Sequence, residues 1–394
     1  MTAKMDAEQT GACMLCGKLG LSPVPKPEKL LGVTSDDRPW KGSGSILVCS
    51  DCGHVQKQID EHWRRDAAEV YRGYALYQLR GGTEHVVLGD VGSRPRSCLL
   101  LDRLRDQIGL SKKGRMLDVG CGNGPLLRSF GEMFPQWSLV GFEPSDHFRS
   151  DVEAIPGVEA FHSGTMDRIP GSFDLIALYY VLEHLPDPAR VIADLRAKLA
   201  PGGLFVIIVP HYQENPFDLI IVDHCSHFRM DSLSFLLKVA GLEVLEVTTG
   251  WIPRAVAAVG RNSALKYPGA IEAEPFLEIR SRVCASLDWL NRLIDDASVH
   301  AKADAFGIFG TATAGSWIAG VLGERVAFFV DEDWARTGVG KSHLGRPVYL
   351  PHDAPPDKSI YLAFPPALAK GMFDRLQLLY PNLRFILPPM ASDT

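Results

Sequence analysis

The stretch that decides the fold of this chain is Asp118-Val119-Gly120-Cys121-Gly122-Asn123-Gly124. It follows the apolar residues Met116 and Leu117 and precedes a helical pattern that begins at Pro125. Glycines in such a turn let the backbone approach a ligand closely, and the helix that follows points its N-terminus at that ligand. We therefore predict a strand, a ligand-binding turn and a helix here.

The sequence around this turn alternates between strand and helix patterns. Predicted strands cover residues 116–119, 138–142, 173–180 and 203–209, and predicted helices cover residues 125–134 and 188–199. Strands separated by helices of this length form a parallel sheet with helices on both faces, which is the Rossmann-like α/β class. A second strand–turn–helix starts at residue 305, and a strand over 325–330 ends at Asp331. Because this second set needs its own sheet, we predict a C-terminal Rossmann-like domain.

The composition argues against several classes of protein. The chain has 394 residues, of which 46% are hydrophobic and 22% charged, and its formal net charge is -6. Its length predicts two or three domains at ~150 residues each. The negative charge argues against a nucleic-acid partner, and no apolar run reaches the ~20 residues that span a bilayer. Since the first residues lack the apolar segment of a signal peptide, we expect a cytoplasmic protein with no membrane partner.

Two C-x-x-C pairs lie near the N-terminus. They are Cys13/Cys16 and Cys49/Cys52, separated by 32 intervening residues. Each pair can place two thiolates on one ion, so that four thiolates complete a closed, structural zinc site. Two unrelated pairs of reduced thiols are the alternative, and a redox role is less favoured because neither pair starts a helix after a strand.

The glycine turn has the pattern G-x-G-x-G and not the G-x-G-x-x-G of nicotinamide-binding folds. The next predicted strand ends about 20 residues further on in Glu143, whose carboxylate can accept both hydroxyls of a ribose. This combination, with the run Val181-Leu182-Glu183-His184-Leu185-Pro186-Asp187-Pro188 after the fourth strand, resembles the class I S-adenosylmethionine (SAM)-dependent methyltransferases. The resemblance implies a class I methyltransferase core that binds SAM.

The resemblance also implies which residues hold SAM. Asp118 would organise the turn or meet the ammonium of the methionine tail, and Glu143 would bind the ribose. Residues 164–166 fall where the adenine packs, and tyrosines before the core cover SAM or substrate, or else form a stripe that faces the core. The full set is Tyr71, Tyr74, Asp118, Gly120, Cys121, Gly122, Asn123, Glu143, Pro144, Gly164, Thr165, Met166 and Tyr179.

The order of the predicted parts resembles that of one methyltransferase family. The parts are a zinc-binding module (1–60), a SAM-dependent methyltransferase domain with an N-terminal helical segment (61–245), a helical connector (246–300) and the C-terminal Rossmann-like domain (301–394). Together they resemble the sugar C-methyltransferases, which act on nucleotide-activated keto-deoxysugars. The resemblance therefore implies a nucleotide-sugar as the small-molecule partner.

A loop rich in histidines and acids, residues 211–228, follows the last predicted strand. A neutral imidazole is a natural general base near pH 7. In the resembled family the loop ends in Tyr-His-Glu-His-x-Ser-Tyr-Phe. Aligned without gaps, this pattern puts the family's Glu on Asp223 and its catalytic His on His224, whereas Ile221 stands where the family has Tyr.

The resemblance then implies proton abstraction next to a ketone. His224 would take the proton, and Asp223 would orient or stabilise the imidazolium. The enolate carbon would attack the methyl group of SAM. His211, Tyr212 or His227 would replace the tyrosine that is missing at Ile221.

Two other functions are open to the sequence. One is an O- or N-methyltransferase that acts on a sugar or another small natural product, for which the change to Ile221 matters less. The other belongs to a different class: a zinc-ribbon binding protein with a non-catalytic SAM domain. Whichever function holds, we expect a monomer or a homodimer.

Overall fold

The computed structural model describes residues 11–27, 30–73, 84, 86–89, 92–263, 274–303, 306–333, 337 and 340–390. Within these residues the chain forms sheets of four, seven and six strands and two short two-stranded pairs. None of the described helices is long and apolar enough to cross a lipid bilayer.

The N-terminal part is a small module of short strands. They are β1 (Leu21–Pro23), β2 (Gly32–Val33), β3 (Pro39–Trp40), β4 (Ile46–Cys49) and β5 (Val55–Lys57). β1, β4 and β5 pair antiparallel in that order, and β2 pairs with β3. One C-x-x-C pair lies in a turn before β1, and the other lies in the turn from β4 to β5. The pairing of β1 with β4 therefore brings the two turns to the same side of the module.

A helix and a hairpin connect this module to the central sheet. Helix α1 (Glu61–Arg72) begins at Asp60, whose side chain accepts the N–H of Trp63 at 2.8 Å. Trp63, Ala67 and Val70 recur every three or four residues and form its buried face. The hairpin of β6 (Val86–Gly89) and β7 (Gly92–Pro95) follows, and then helix α2 (Arg96–Arg103).

The central sheet has seven strands in the order β10-β9-β8-β11-β12-β15-β14. They are β8 (Gly114–Val119), β9 (Trp137–Glu143), β10 (Val158–Ser163), β11 (Phe173–Tyr179), β12 (Leu199–Pro210), β14 (Leu242–Thr248) and β15 (Ala255–Asn262), and the intervening β13 (Ser226–His227) joins another sheet. The helices after these strands are α3 (Pro125–Met133), α4 (Arg149–Glu153), α5 (Pro188–Arg196) and α6 (Met230–Val239). β8 to β12 are parallel, and β15 runs antiparallel to both of its neighbours.

The position of the glycine turn follows from this strand order. β8 lies between β9 and β11, so the chain builds the sheet outward in one direction and then, from β11, in the other. In open α/β sheets, ligands bind outside the carboxyl ends of the strands at such a point. The parallel sheet predicted from the sequence is confirmed, and the turn after β8 lies at its ligand-binding edge.

The predicted helices 125–134 and 188–199 are observed as α3 and α5, each ending slightly earlier. β10 was not predicted from the sequence. It is an edge strand in which Phe161 alone is fully buried, so it has no apolar run.

The loop 211–228 is bound to the N-terminal module by its backbone. β13 pairs antiparallel with β5, which places Ser226 opposite Gln56. The N–H of Lys57 donates to the carbonyl of Cys225 at 2.9 Å, and the N–H of Val222 donates to the carbonyl of Val33 at 2.8 Å. Residues of the loop thus form the edge strand of the module's sheet, and the predicted boundary at residue 60 divides elements that share one sheet.

The C-terminal part is a second α/β sheet that follows the long helix α7 (Phe276–Ala303) in the chain. Its strands are β16 (Phe306–Phe309), β17 (Val326–Val330), β18 (Ser342–His343), β19 (Arg346–Tyr349), β20 (Ser359–Leu362) and β21 (Arg384–Ile386), and its helices are α8 (Thr313–Leu322) and α9 (Pro366–Leu379). β16 lies between β17 and β20, and all three are parallel. The turn from β16 to α8 therefore lies at a second reversal of strand order.

One apolar cluster joins the module, the loop and the C-terminal part. The ring of Phe217 in the loop lies 5.6 Å from that of Trp289 in α7 and 5.9 Å from that of Trp317 in α8. The same cluster contains Val33 and Ile46 of the module. The indole N–H of Trp317 donates to a backbone carbonyl in the module, that of Leu31, at 3.0 Å.

Replacing Phe217 by alanine should destabilise this junction. Removal of a buried phenylalanine ring lowers the free energy of unfolding by about 3–5 kcal/mol, because contacts are lost and a cavity remains. Urea unfolding followed by tryptophan fluorescence measures the effect. The control is Leu378→Ala, whose side chain is 82% exposed and which should change stability by less than about 0.5 kcal/mol. Equal stability of the two variants would contradict a joint core.

Candidate active site

A large cavity of about 1160 Å³ lies where the three parts of the chain meet. The glycine turn of the central sheet lines it with Gly120 and Gly122, the loop with Asp218 and His224, and the C-terminal sheet with the turn 310–315. We call it the central cavity. It contains the ligand-binding edges of both parallel sheets, so a cofactor and a second ligand can meet inside it.

The glycine turn has the backbone geometry that the sequence predicted. Gly120, Gly122 and Gly124 have φ angles of 73°, 53° and 84°, a region that side chains with a Cβ rarely adopt. A Cβ on Gly120 would approach Cγ2 of Val181 to 2.5 Å. The turn therefore needs glycine at this position for both its conformation and its close packing.

Two acids frame the turn. The carboxylate of Glu143 accepts the N–H of Gly122 at 2.6 Å, and burial raises its pKa. Asp118 is fully buried, and its Oδ1 has no hydrogen-bond partner among the described residues. Burial, with the charge of Glu143 adding to it, raises the pKa of Asp118 well above its usual value. An ammonium group would give the unpartnered Oδ1 of Asp118 a partner, and a ribose at Glu143 would add hydroxyl donors to the N–H of Gly122 that its carboxylate already accepts, so the residues present fit SAM.

The central cavity contains part of the cofactor set predicted from the sequence. Tyr71, Gly120, Gly122, Glu143, Pro144 and Tyr179 line it, whereas Asp118, Cys121 and Asn123 lie beneath the turn. Gly164 and Thr165 are exposed and Met166 is half-buried, outside the described lining of the cavity. They follow β10 at the edge of the sheet, and their packing on the adenine stays a prediction. Tyr74 lies outside the described residues.

His224 is held by Asp218, a residue that the sequence analysis did not select. One carboxylate oxygen of Asp218 lies 2.6 Å from Nδ1 of His224, and the other lies 2.6 Å from Nδ1 of His227. Burial disfavours the charge of Asp218, yet the two imidazoles lower its pKa below the usual range. Because an ionised carboxylate only accepts hydrogen bonds, both Nδ1 atoms donate, and Nε2 of His224 is left as a proton acceptor.

The electrostatic environment of His224 suits a base. The imidazole is buried, and burial lowers its pKa although Asp218 opposes the shift. The side chain is therefore neutral at neutral pH, with its proton on Nδ1. Its ring lies 4.6 Å from and perpendicular to that of His184, whose pKa is raised to about 9: burial would lower it, but Asp223 and Glu183 outweigh burial.

The orienting role predicted for Asp223 belongs to Asp218, whereas the charge of Asp223 does favour the imidazolium of His224. Its carboxylate accepts the N–H of Ser35 at 2.9 Å and the hydroxyl of Ser35 at 2.5 Å. It also lies 3.3 Å from Nδ1 of His184. Asp218 and not Asp223 orients His224, because the short helical turn at 216–220 brings the carboxylate of Asp218 to Nδ1 of the ring. Sequence spacing alone could not distinguish the two acids of the loop.

The other three catalytic candidates lie outside the described lining of the central cavity. Tyr212 is buried in the apolar cluster around Phe217. His211 lies 3.1 Å from Glu214 and 3.2 Å from Gln213. His227 is fully buried and contacts Asp218. That one of them replaces the tyrosine missing at Ile221 is therefore not supported by their positions and stays a prediction. His227 helps to fix Asp218.

The four cysteines predicted as metal ligands converge in the module. Their four Sγ atoms lie within 4.8 Å of one another, with 3.6 Å between those of Cys13 and Cys52 and between those of Cys16 and Cys49. A tetrahedral zinc ion with Zn–S bonds of about 2.3 Å needs sulfurs about 3.8 Å apart. The thiols therefore fit a closed four-thiolate site.

The C-terminal turn that faces the cavity is held by Asp331. Its carboxylate accepts the N–H of Thr311 at 2.9 Å and the hydroxyl of Thr311 at 2.8 Å. Gly310 has a φ angle of 93°, and a Cβ on Gly315 would approach the carbonyl oxygen of Gly310 to 2.0 Å. Asp331 thus stabilises the turn.

Comparisons with known proteins identify the central domain. Residues 94–247 match the family described as a methyltransferase domain. The chain is 32% identical over 217 residues to the C-methyltransferase NovU of Streptomyces niveus, a match that covers 52% of this chain and 47% of that protein. It is 30% identical over 115 residues to the trans-aconitate 2-methyltransferase of Deinococcus radiodurans, covering 29% and 41%. The chain thus spans less than half the length of these two curated relatives.

Among solved structures, the S-adenosylhomocysteine (SAH)-bound form of CalO1, a methyltransferase in calicheamicin biosynthesis, is 20% identical to this chain. Its TM-score is 0.37, and the match covers 52% of this chain and 60% of that one. The assignment of the domain rests on the sequence matches. Residues 94–247 are a class I SAM-dependent methyltransferase domain, which is an enzyme domain.

Alanine at Gly120 should weaken cofactor binding. A left-handed conformation costs a residue with a Cβ about 1–2 kcal/mol, and the new Cβ would also collide with Val181. We expect the Kd for SAH, measured by calorimetry, to rise about 10-fold or more. The control is Gly109→Ala, at a φ angle of 77° with nothing within 4 Å of a Cβ. An unchanged Kd in Gly120→Ala would argue against SAM binding at this turn.

Proposed function

We propose that the chain is a SAM-dependent methyltransferase that C-methylates a nucleotide-activated keto-deoxysugar through an enolate. The observation that carries the proposal is the position of His224. Its ring lines the same cavity as the glycine turn, and its Nδ1 is bound to Asp218. The match to the C-methyltransferase NovU supports carbon as the methylated atom.

Different residues of the chain would bind the cofactor, accept the proton and stabilise the charge in such a reaction. SAM, held by the glycine turn, Asp118 and Glu143, would supply an electrophilic methyl group and leave as a neutral thioether. His224 takes a proton from the carbon next to a ketone onto Nε2, and the anionic Asp218 stabilises the resulting imidazolium. The walls of the cavity hold acceptor and cofactor together, which removes much of the entropic barrier to their reaction.

The fused arrangement of the three parts supports a nucleotide-linked acceptor. The turn 310–315 and its helix α8 face the same cavity as His224. Backbone N–H groups at a helix N-terminus favour a negatively charged group such as a phosphate. A pocket for one drug-sized ligand has a volume of about 300–1,000 Å³. The central cavity, at about 1160 Å³, is larger and has room for a second ligand beside SAM. A nucleotide-sugar therefore fits the space that the C-terminal sheet encloses.

Solvent exchange distinguishes this proposal from O- or N-methylation. With SAH bound, we expect the enzyme to exchange a C–H proton of an accepted nucleotide-linked keto-deoxysugar for deuterium, detected by NMR. His224→Ala should abolish the exchange. The control is His62→Gln, on the exposed side of α1. A second assay replaces SAH by SAM as the methyl donor. Methyl transfer from SAM to oxygen or nitrogen, with no exchange in the presence of SAH, would contradict carbon chemistry, and SAM binding with no transfer would favour a non-catalytic SAM domain.

The proton-acceptor role of His224 depends on Asp218. Asp218→Asn should slow the exchange about 100-fold or more, because an amide no longer fixes the tautomer or stabilises the imidazolium. Since burial lowers the pKa of His224, the rate in the native enzyme should fall only as the pH drops below about 6.5. A pH–rate profile measures both effects. An acid limb centred well above that pH would show that another group is the base.

We further propose that the four cysteines bind one structural zinc ion. Cys16→Ser should lower the zinc content below one ion per chain, because three thiolates no longer close the site. The control is Cys98→Ser, whose sulfur lies 3.7 Å from the hydroxyl of Ser129 and outside the cluster. Metal analysis after gel filtration measures the content. Equal zinc in the two variants would contradict the site.

A further inference from the structure

Two arginines face the central cavity and form no hydrogen bond or ion pair with an acid among the described residues. Arg96 is the first residue of α2, and Arg254 lies in the turn just before β15. Both line the cavity together with Tyr180. The guanidinium carbon of Arg96 lies 5.4 Å from the centre of the Tyr180 ring. Within the described part of the chain, neither guanidinium has a hydrogen bond or an ion pair.

The nearest acids have other partners. The carboxylate of Glu84 accepts hydrogen bonds from both the N–H and the hydroxyl of Ser97, and from the hydroxyl of Tyr179 at 3.1 Å. Glu214 accepts the backbone N–H of Arg254 at 3.1 Å and lies 3.1 Å from His211. Both acids therefore bind other groups and leave the donors of the two guanidinium groups available.

The backbone holds Tyr180 and Arg254 in an unusual conformation. Their φ angles are 58° and 62°, in the left-handed region that residues with a Cβ rarely adopt. The N–H of Tyr180 donates to Ile208 at 2.8 Å, and the carbonyl of Arg254 accepts the N–H of His211 at 2.9 Å. Such strain persists where surrounding contacts enforce it, and it is concentrated at ligand sites. Here it turns both side chains into the cavity.

Two donors at this place have no acceptor among the described residues. Nε of Arg96 and the hydroxyl of Tyr180 are buried and have no hydrogen-bond partner in the described part of the chain. Burial raises the pKa of Tyr180, so its hydroxyl keeps its proton and can donate. Burial lowers the pKa of Arg254 to about 10, and the charge of Arg96 adds to this effect. Buried donors without partners destabilise the protein unless a ligand supplies acceptors.

We propose that Arg96, Arg254 and Tyr180 form a subsite for an anionic group, a carboxylate or a phosphate, inside the central cavity. Arginine suits such a group because its planar fork donates two parallel hydrogen bonds to a pair of oxygens. The Tyr180 hydroxyl supplies a further donor. The subsite deepens the proposed function and rests on it for the identity of the cavity.

Two molecules could bring this anion. One is the cofactor, whose methionine tail ends in a carboxylate, and the other is the acceptor, through a phosphate or a carboxylate of its own. Decarboxylated SAH keeps the ammonium but lacks the carboxylate, so it separates the first source from the second. Inorganic phosphate, added to the SAH-saturated protein, serves as the probe for the second source.

The test compares Arg96→Gln and Arg254→Gln with the native protein. Calorimetry gives the Kd for SAH and for decarboxylated SAH, and ³¹P line broadening follows phosphate on the SAH-bound protein. Loss of a charge-assisted pair weakens binding about 10- to 100-fold. A weaker Kd for SAH alone supports the subsite with the cofactor as source, and loss of phosphate binding with an unchanged Kd for SAH supports it with the acceptor as source.

Two results would overturn the subsite. One is that both variants bind SAH, decarboxylated SAH and phosphate as tightly as the native protein does. The other is that the Kd values for SAH and decarboxylated SAH rise by the same factor, which would indicate general damage to the cavity. Arg190→Gln, which removes a charge from a 78% exposed side chain on α5, is the matched control, and thermal unfolding verifies that each variant is folded. The test measures binding and not methyl transfer. It therefore remains valid if the proposed function is wrong and the enzyme methylates another class of acceptor.

Discussion

The site depends on backbone hydrogen bonds that tie the loop 211–228 to the N-terminal module. Strand β13 completes the module's sheet, and the N–H of Val222 binds the carbonyl of Val33. The indole N–H of Trp63 donates to the carbonyl of Val222 at 2.8 Å. These bonds fix the loop on both sides of His224. The N-terminal module, far from the glycine turn in sequence, therefore sets the position of His224.

The loop carries charges that would be costly to bury without partners. Asp218 and Asp223 are fully buried, and each contacts at least one imidazole. The ammonium of Lys57, from β5, donates to the carbonyl of Ile221 in the same region, and burial lowers its pKa to about 7 although both aspartates oppose the shift. Removal of one member would leave another charge unpaired in a medium of low polarity, so the network holds together as a unit.

The central cavity exists because two parallel sheets direct their ligand-binding edges at one another. Each sheet reverses its strand order beside a glycine turn, after β8 in the central sheet and after β16 in the C-terminal one. The cluster around Phe217 and the bond from Trp317 to Leu31 hold the C-terminal sheet against the module. The glycine turn, His224 and the two arginines therefore line one cavity.

The sequence by itself determined the parallel central sheet, its glycine turn and the four cysteines, because these features depend on local patterns: apolar runs, left-handed glycines and ligand spacing. The tertiary structure decided what the loop does. Asp218 and Asp223 are both acids near His224 in sequence, and only the packing of the turn at 216–220 shows which one touches its ring. Arg96 and Arg254 are far apart in the chain, and no periodicity joins them. They lie together beside Tyr180 because of the strand order and the left-handed φ angles of Tyr180 and Arg254. Both are properties of the folded chain as a whole.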